Sequence, residues 1–193
     1  REMPVRIVAD GVVTRSVRDT AAFLREAEKS HRNLKLRPVG DVTSAGRKRL
    51  KVAMVVDSVA HATHPECVAV VRETAALLES MGHHVEEVDA PVSASFEGDF
   101  LAYWGLLSTF LSNTGKRTLD PSFDRTRTDN LTKGLARHGL RSLPRMPLAI
   151  ARLQYSQVLA RRFYRDYDVS LSPVLGHPTP LIGHLDPNLS YEA

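Results

Sequence analysis

Two short apolar runs, separated by a segment with helical spacing, stand out in the middle of the chain. The first run, LKVAMVVDS (50–58), is rich in β-branched residues, as is typical of a strand buried on both faces. Pro65 then suits a first helical turn, and Gly82 suits the position after a last turn. The apolar residues between them that share one helical face are Val68, Val71, Ala75 and Leu78. Residues 83–91 alternate imperfectly between apolar and polar, which predicts a second strand.

A strand, a helix and a strand in succession predict a βαβ unit. Such a unit implies parallel strand pairing and a right-handed crossover. The residues before it contain Ser16 with Asp19 three positions later, a capping-box spacing with Asp in place of the usual Glu or Gln. The other predicted elements in the first half are a helix over 17–29, a polar loop over 30–48 and an aromatic-rich helix over 95–115 ending near Gly115. They are followed by a short helix over 128–139 closed by Gly139, a long helix within 144–167 starting after Pro147, and a strand over 168–174. Together they predict an α/β fold with a mixed, mostly parallel sheet covered by helices.

The last predicted strand continues into a proline-rich segment, YDVSLSPVLGHPTPLIG (167–183). Its prolines, Pro173, Pro178 and Pro180, prevent a helix from starting at once and stiffen the loop. Ligands of open α/β sheets usually bind at strand ends. The loop is therefore either the wall of a pocket or a rigid packed connection, and the pattern alone favours the connection.

Composition and charge narrow the classes of function. The chain has 193 residues, 42% of them hydrophobic and 25% charged, with a formal net charge of +4. The short basic clusters at 46–51 and 160–166 are typical of a solvated surface, so we expect no nucleic-acid partner. No apolar run is long enough to span a bilayer, so we expect no membrane partner either. Cys67 is the only cysteine, which excludes an intrachain disulfide and favours a reducing compartment, here the cytoplasm.

Motifs for autonomous catalysis are absent from the sequence. It contains neither the G-x-S-x-G turn of α/β hydrolases nor a Gly-rich phosphate-binding loop. His61, His64 and Cys67 are three residues apart, but no second ligand pair completes a zinc spacing, so capping and loop solvation are favoured over a metal. Cys67 needs a positioned base to act as a nucleophile, and we interpret it as an ordinary helical residue. The aromatic face over 96–111 predicts core packing, with an apolar substrate cleft as the alternative.

Three stretches of the chain resemble, in the same order, segments of the amidase signature family. DGVVTRSVRDTAAFL (10–24) is similar to the family's G-P-x-A-R-S-V-x-D-x-A. The stretch over 50–91 resembles its strand followed by H-P-E-V, a helix and L-x-x-x-G-H-x-V-E-E-V. Residues 167–183 are similar to Y-D-V-L-L-T-P-T-x-x-x-P-A-P-x-I-G. The departures include Val12 and Val13 in place of Gly-Pro and Ser172 in place of Thr before the proline.

The resemblance implies an enzyme that hydrolyses carbon–nitrogen bonds of carboxamides without a cofactor or metal. Members of the family use a Lys, a Ser in a cis peptide and a nucleophilic Ser, together with backbone N–H groups that stabilise the oxyanion. The Gly/Ser-rich signature of that catalytic region is absent here, so no catalytic residue is assigned in this chain. We expect residues 1–193 to form a single partial domain, the interior-to-C-terminal part of a larger amidase-type α/β/α sandwich, and to be inactive alone.

The resemblance also selects candidate substrate-binding residues. In the family the strand–proline segment lies near the substrate pocket, which makes Ser172, Pro173 and Val174 candidate walls, with Trp104 as a fourth. The expected partners are a small-molecule amide and either the remainder of the parent amidase or a second copy of the chain. The alternative function is a non-catalytic α/β binding or scaffold domain derived from an amidase.

Overall fold

The computed structural model describes residues 3–5, 7, 11–34, 37–44 and 46–191. The chain divides into two compact units, residues 1–48 and 49–193. Of the predicted loop over 30–48, residues 35, 36 and 45 lie outside the described part, as does residue 10 of the first family-like stretch. The rest of that loop contains neither helix nor strand beyond residue 30.

The elements follow the predicted order. The helices and strands are α1 (Val17–Ser30), β1 (Lys51–Met54), α2 (Pro65–Ser80), β2 (His84–Glu87), α3 (Phe96–Thr118), α4 (Asn130–Ser142), α5 (Met146–Asp166) and β3 (Val169–Leu171), with short 3-10 helices at Arg125–Arg127 and Leu143–Arg145. The strands are shorter than predicted. None of the helices in the described ranges has a stretch long and apolar enough to cross a membrane.

The first unit contains α1, whose N-terminus is capped as the sequence predicts. The side chain of Ser16 accepts a hydrogen bond from the Asp19 backbone N–H at 3.1 Å. Near the other end, the Glu28 carboxylate accepts hydrogen bonds from the backbone N–H groups of Val39 and Gly40, at 2.7 and 2.9 Å. These bonds, led by that of Gly40, lower the pKa of Glu28. No residue within α1 is buried, so polar contacts hold the loop against it.

The second unit is built on a three-stranded parallel sheet in the order β2-β1-β3. Val52 in the central strand lies opposite Val85 in β2 and Val169 in β3. Val52 and Ala53 are fully buried, as expected for a central strand covered on both faces. The parallel pairing of β1 and β2 on either side of α2 confirms the predicted βαβ unit, and the α/β fold class is confirmed.

The core beside this sheet is formed by α2. Val71 and Ala75, two members of the predicted apolar face, are buried against Met54 and Val56. Val68 packs against the same cluster. Because these side chains recur at helical spacing, the segment buries one face and leaves the opposite face to solvent.

Two glycines predicted to end helices have a different role. Gly139 lies inside α4, and a Cβ atom added there would overlap the backbone of Gly105 in α3. Gly115 lies inside α3, where an added Cβ would overlap the Phe123 ring. The predicted helix ends are therefore wrong, since α3 continues to Thr118 and α4 to Ser142. Both glycines instead permit close packing.

The aromatic face of α3 is only partly in the core. Tyr103 is 1% exposed, whereas Trp104 is 42% and Phe110 is 53% exposed. Phe96 and Phe100 are half-buried and stack with a centroid separation of 6.0 Å. The prediction of core packing thus holds for Tyr103, while much of the aromatic surface remains accessible within this chain.

Candidate functional site

The loop after β3 and the N-terminal half of α2 border an open cavity of about 600 Å³. Ser172, Pro173 and Val174 line it from the loop. Val70 and Thr74 line it from the helix, one turn apart on the same face. The lining is mainly apolar, with hydroxyl groups at Ser172 and Thr74, so it suits a ligand with an apolar body and a few hydrogen-bonding atoms.

Three of the four predicted wall residues are brought together in this cavity. Pro173 is half-buried, while Ser172 and Val174 are exposed, Val174 by 98%. Trp104 is not among the lining residues; it lies on α3, with its ring 6.0 Å from that of Phe100. A substrate-binding role for all four residues stays a prediction.

Backbone hydrogen bonds fix the loop against the start of α2. The His64 backbone N–H donates to the Gly176 carbonyl at 2.8 Å. The His64 ring caps the helix, since its Nδ1 accepts from the Glu66 backbone N–H at 3.3 Å. His177 Nδ1 donates to the Pro178 carbonyl at 2.8 Å. The prolines and these bonds together present a preformed wall, which reduces the entropy lost when a ligand binds.

The hydrogen bond of the His64 ring to the start of α2 agrees with the sequence-based interpretation that this histidine caps the helix. His61 lies apart from it, with Nε2 3.6 Å from a Glu97 carboxylate oxygen. Among the described residues no group of three or more His, Cys, Asp or Glu side chains is arranged to hold a metal ion.

Cys67 and His177 both line the cavity, but they do not form an activated nucleophile. The thiol is half-buried and has no hydrogen-bond partner among the residues that the structure describes. The His177 ring instead bonds to the Pro178 carbonyl. Because a nucleophilic thiol needs a base within hydrogen-bonding reach, the pair supplies cavity wall and no catalytic dyad.

A smaller acidic recess of about 210 Å³ lies at the carboxyl ends of β1 and β2. Asp57, Glu87 and Asp89 line it. The Asp57 carboxylate accepts from the Thr63 N–H at 2.8 Å, and Glu87 pairs with Arg72 at 3.1 Å. Two of the three acids are thus engaged in structural contacts that organise the loop and the helix around the sheet.

An exposed ion pair connects β1 and β2. Lys51 Nζ lies 3.2 Å from a Glu86 carboxylate oxygen and 4.7 Å from the centroid of the Tyr167 ring. The hydrogen bond from Lys51 lowers the pKa of Glu86, and the same bond raises the pKa of Lys51. This cluster links the first residue of β1 to the third residue of β2, beside Tyr167 in the segment between α5 and β3.

Sequence reasoning missed the helix side of the cavity. Val70 and Thr74 lie next to Val71 and Ala75, the buried face of α2, but outside the predicted apolar stripe. The available signal was Val70, an apolar residue off the stripe that is 61% exposed. Single exposed apolar residues are common on protein surfaces, so this signal alone does not identify a cavity wall.

Comparison with known proteins places the chain among amidases. The Amidase family model matches residues 2–193. The protein named "Putative amidase AmiC" from Mycobacterium tuberculosis (strain ATCC 25618 / H37Rv) is 50% identical over 188 residues, which cover 97% of this chain and 40% of that protein. The protein of the same name from Mycobacterium leprae (strain TN) is 49% identical over an equal length. The chain thus spans about 40% of the length of these relatives.

A solved structure shares the fold. The structure of a 6-aminohexanoate cyclic dimer hydrolase complexed with substrate matches with a TM-score of 0.70 and 22% sequence identity. The match covers 93% of this chain and 39% of the other. The family model, which extends over nearly the whole sequence, establishes that this chain belongs to the amidase family.

Proposed function

We propose that the chain is part of an amidase that hydrolyses carbon–nitrogen bonds of carboxamides, and that it supplies scaffold and one wall of the substrate cleft. One observation carries this proposal: the segment that resembles the family's strand–proline motif lines the 600 Å³ cavity through Ser172, Pro173 and Val174. A cavity at the end of a parallel strand is where an α/β protein is expected to bind its ligand.

The cavity wall suits the non-reacting part of a small amide. Val70 and Val174 offer apolar contact, and the Ser172 hydroxyl can donate to or accept from a polar atom of the substrate. Such contacts position a substrate without taking part in bond cleavage. Trp104 remains a weaker candidate, because it is exposed on α3 outside this cavity.

The reacting Ser, Ser and Lys belong, in this proposal, to polypeptide outside the 193 residues. The absence of the Gly/Ser-rich signature from the sequence supports this assignment, as does the lack of a hydrogen-bonded base for the Cys67 thiol among the described residues. The mechanism needs no cofactor: the missing lysine and serines supply the base and nucleophile, and this chain supplies binding surface.

The proposed macromolecular partner is the remainder of the parent amidase, or a second copy of the chain. Val174, Leu181 and Ile182 are 98%, 86% and 107% exposed, an unusual concentration of apolar surface in one loop. Neither a nucleic acid nor a membrane is a proposed partner. The single cysteine fits a location in the cytoplasm.

A chimera with the AmiC protein of M. tuberculosis tests the proposal. The 188 matched residues of AmiC are replaced by this chain, and ammonia release from a panel of simple amides is measured. We expect turnover by the chimera, and Val174→Glu in it should raise KM by about tenfold, because a charge is placed in an apolar wall.

Leu77→Glu is the matched control for that variant. Leu77 is 60% exposed on α2, outside both the cavity lining and the loop proposed to contact the rest of the amidase, so its KM should stay unchanged. An equal rise in KM for both variants would contradict a cleft wall at Val174. If the chimera lacks activity while AmiC tested in parallel is active, the non-catalytic scaffold becomes the better account.

A further inference from the structure

A second cavity, of about 330 Å³, lies between the first turns of α3 and α5 and the adjoining face of α4. Its basic side chains come from three places in the chain: His138 from α4, Arg145 from the junction before α5, and Arg152 from α5. None of these residues is part of the cavity beside α2. Their convergence on one recess is a charge arrangement that the fold creates and the sequence spacing does not reveal.

The acidic residue in this cavity does not neutralise it. Asp99 is 13% exposed, and one of its carboxylate oxygens accepts from the Ser95 hydroxyl at 2.9 Å. The other oxygen lies 3.8 Å from Arg152 Nη1. Arg145 and His138 have neither an ion pair nor a side-chain hydrogen bond within the described ranges. The lining therefore carries a net positive charge with free guanidinium donors.

The start of α5 brings no opposing charge to the cavity. Its first turn has no acidic residue, and Leu148 and Ala149 of that turn line the cavity. The Met146 backbone N–H donates to the Leu143 carbonyl and Pro147 has no N–H, so the arginine side chains supply the positive charge. The side chains of Leu101 and Leu148 give the recess an apolar part as well.

We propose that this cavity binds a small organic carboxylate with a short apolar chain. Its carboxylate accepts hydrogen bonds from Arg145 and Arg152, and its chain contacts Leu101 and Leu148. A planar guanidinium matches a carboxylate in two-point geometry, which a simple spherical anion does not exploit. It shares no lining residue with the cavity beside α2, and its existence does not depend on amide hydrolysis.

Butyrate and its uncharged isostere 2-pentanone test the proposal on the 193-residue chain. In a titration followed by NMR of the ¹⁵N-labelled protein, butyrate should produce saturable shifts of the Leu148 and Ala149 amide signals. The uncharged ketone should not. Arg145→Gln should weaken butyrate binding by at least about tenfold, because a charge-assisted hydrogen bond is lost. Arg152→Gln should weaken it as well.

Arg141→Gln is the matched control, since Arg141 is exposed on α4 and lies outside the cavity lining. Its butyrate affinity should equal that of the parent chain. The proposal is overturned if 2-pentanone shifts the same signals equally, if inorganic phosphate binds as tightly as butyrate, or if Arg141→Gln and Arg145→Gln have the same effect. The absence of any shift with butyrate would overturn it too.

Discussion

Two regions of the molecule differ in how closely this chain packs them. The first is the contact between α3 and α4, and the second is the loop after β3. At the helix contact the backbones of Gly105 and Gly139 meet without intervening side chains. Thr109 Oγ1 lies 2.9 Å from both the Gly105 and the Ala136 carbonyl oxygens, and its one hydroxyl hydrogen is shared between these two acceptors. In the loop, Leu181 and Ile182 stand almost fully in solvent. One region is packed by residues of this chain, and the other leaves its apolar side chains exposed.

The largest loss of stability is expected when a methyl group is added at the contact between α3 and α4. An ideal Cβ at Gly105 would lie 2.6 Å from the Leu135 carbonyl oxygen and 2.7 Å from the Gly139 nitrogen, both backbone atoms that cannot move aside alone. We expect Gly105→Ala to destabilise the chain by about 3 kcal/mol through overpacking. Urea denaturation followed by circular dichroism measures the effect.

Gly98→Ala is the control for that substitution. Gly98 is in the same helix, but an added Cβ would meet no atom within 4 Å. Because alanine has the higher helix propensity, this variant should be stabilised by up to about 1 kcal/mol. Equal destabilisation of the two variants would mean that the helices do not approach at Gly105.

The helix contact also depends on the cap that starts α4. The Asp129 carboxylate accepts from the Thr132 backbone N–H at 2.6 Å, and this bond lowers the pKa of Asp129. Asp129→Ala should cost about 1 kcal/mol at neutral pH. A lowered folded-state pKa means that the stabilisation is present above the unfolded value of about 3.9 and is lost as the pH falls through the folded-state pKa.

Denaturation of the parent chain and of Asp129→Ala at a series of acidic pH values tests whether the cap weakens on acidification. The difference in free energy of unfolding between the parent and Asp129→Ala should shrink as the pH falls below about 3.9. A difference that grows on acidification would contradict the assigned cap.

Substitutions in the loop after β3 should affect self-association and leave the free energy of unfolding almost unchanged, unlike substitutions at the helix contact. A double variant, Leu181→Ser with Ile182→Ser, should change the free energy of unfolding by less than about 0.5 kcal/mol, because these exposed side chains lose little on truncation. It should nevertheless weaken self-association, measured by light scattering over a range of concentrations. A clean monomer for the parent chain would contradict the proposed self-association, leaving the remainder of the amidase as partner.

The smallest effect is expected at the exposed pair of Lys51 and Glu86. Glu86→Gln should leave the denaturation midpoint nearly unchanged, since screened surface pairs contribute little. The small difference in midpoint between the parent and Glu86→Gln should disappear at high salt. The contribution of Glu86 is lost as the pH falls through its lowered pKa, so the parent and the variant should converge in acid. A large midpoint shift at neutral pH would show that the pair holds the sheet together.

The sequence predicted what local patterns determine. Helical spacing located the buried face of α2, and the Ser16 side chain was correctly assigned to the cap of α1. The roles of Gly115 and Gly139 were missed, because a glycine that permits close packing has the same letter as one that ends a helix. Only the tertiary contact distinguishes them.

The candidate site likewise has one part that local sequence patterns predicted and another that depends on tertiary contacts. The strand–proline segment indicated Ser172, Pro173 and Val174, because its resemblance to the family and its stiffness are local properties. Its facing wall on α2 lies about a hundred residues earlier and was outside any local pattern. The convergence of Arg145, Arg152 and His138 likewise depends on how three helices meet.

Amide hydrolysis by the 193-residue chain alone is the most direct test of the central claim, that this chain shapes an amidase while the reacting groups lie elsewhere. Ammonia release from simple carboxamides is measured with the purified chain, beside the AmiC chimera. The account predicts no release by the chain. Turnover by the chain that is lost on substituting one of its own residues, Cys67→Ala for example, would contradict it.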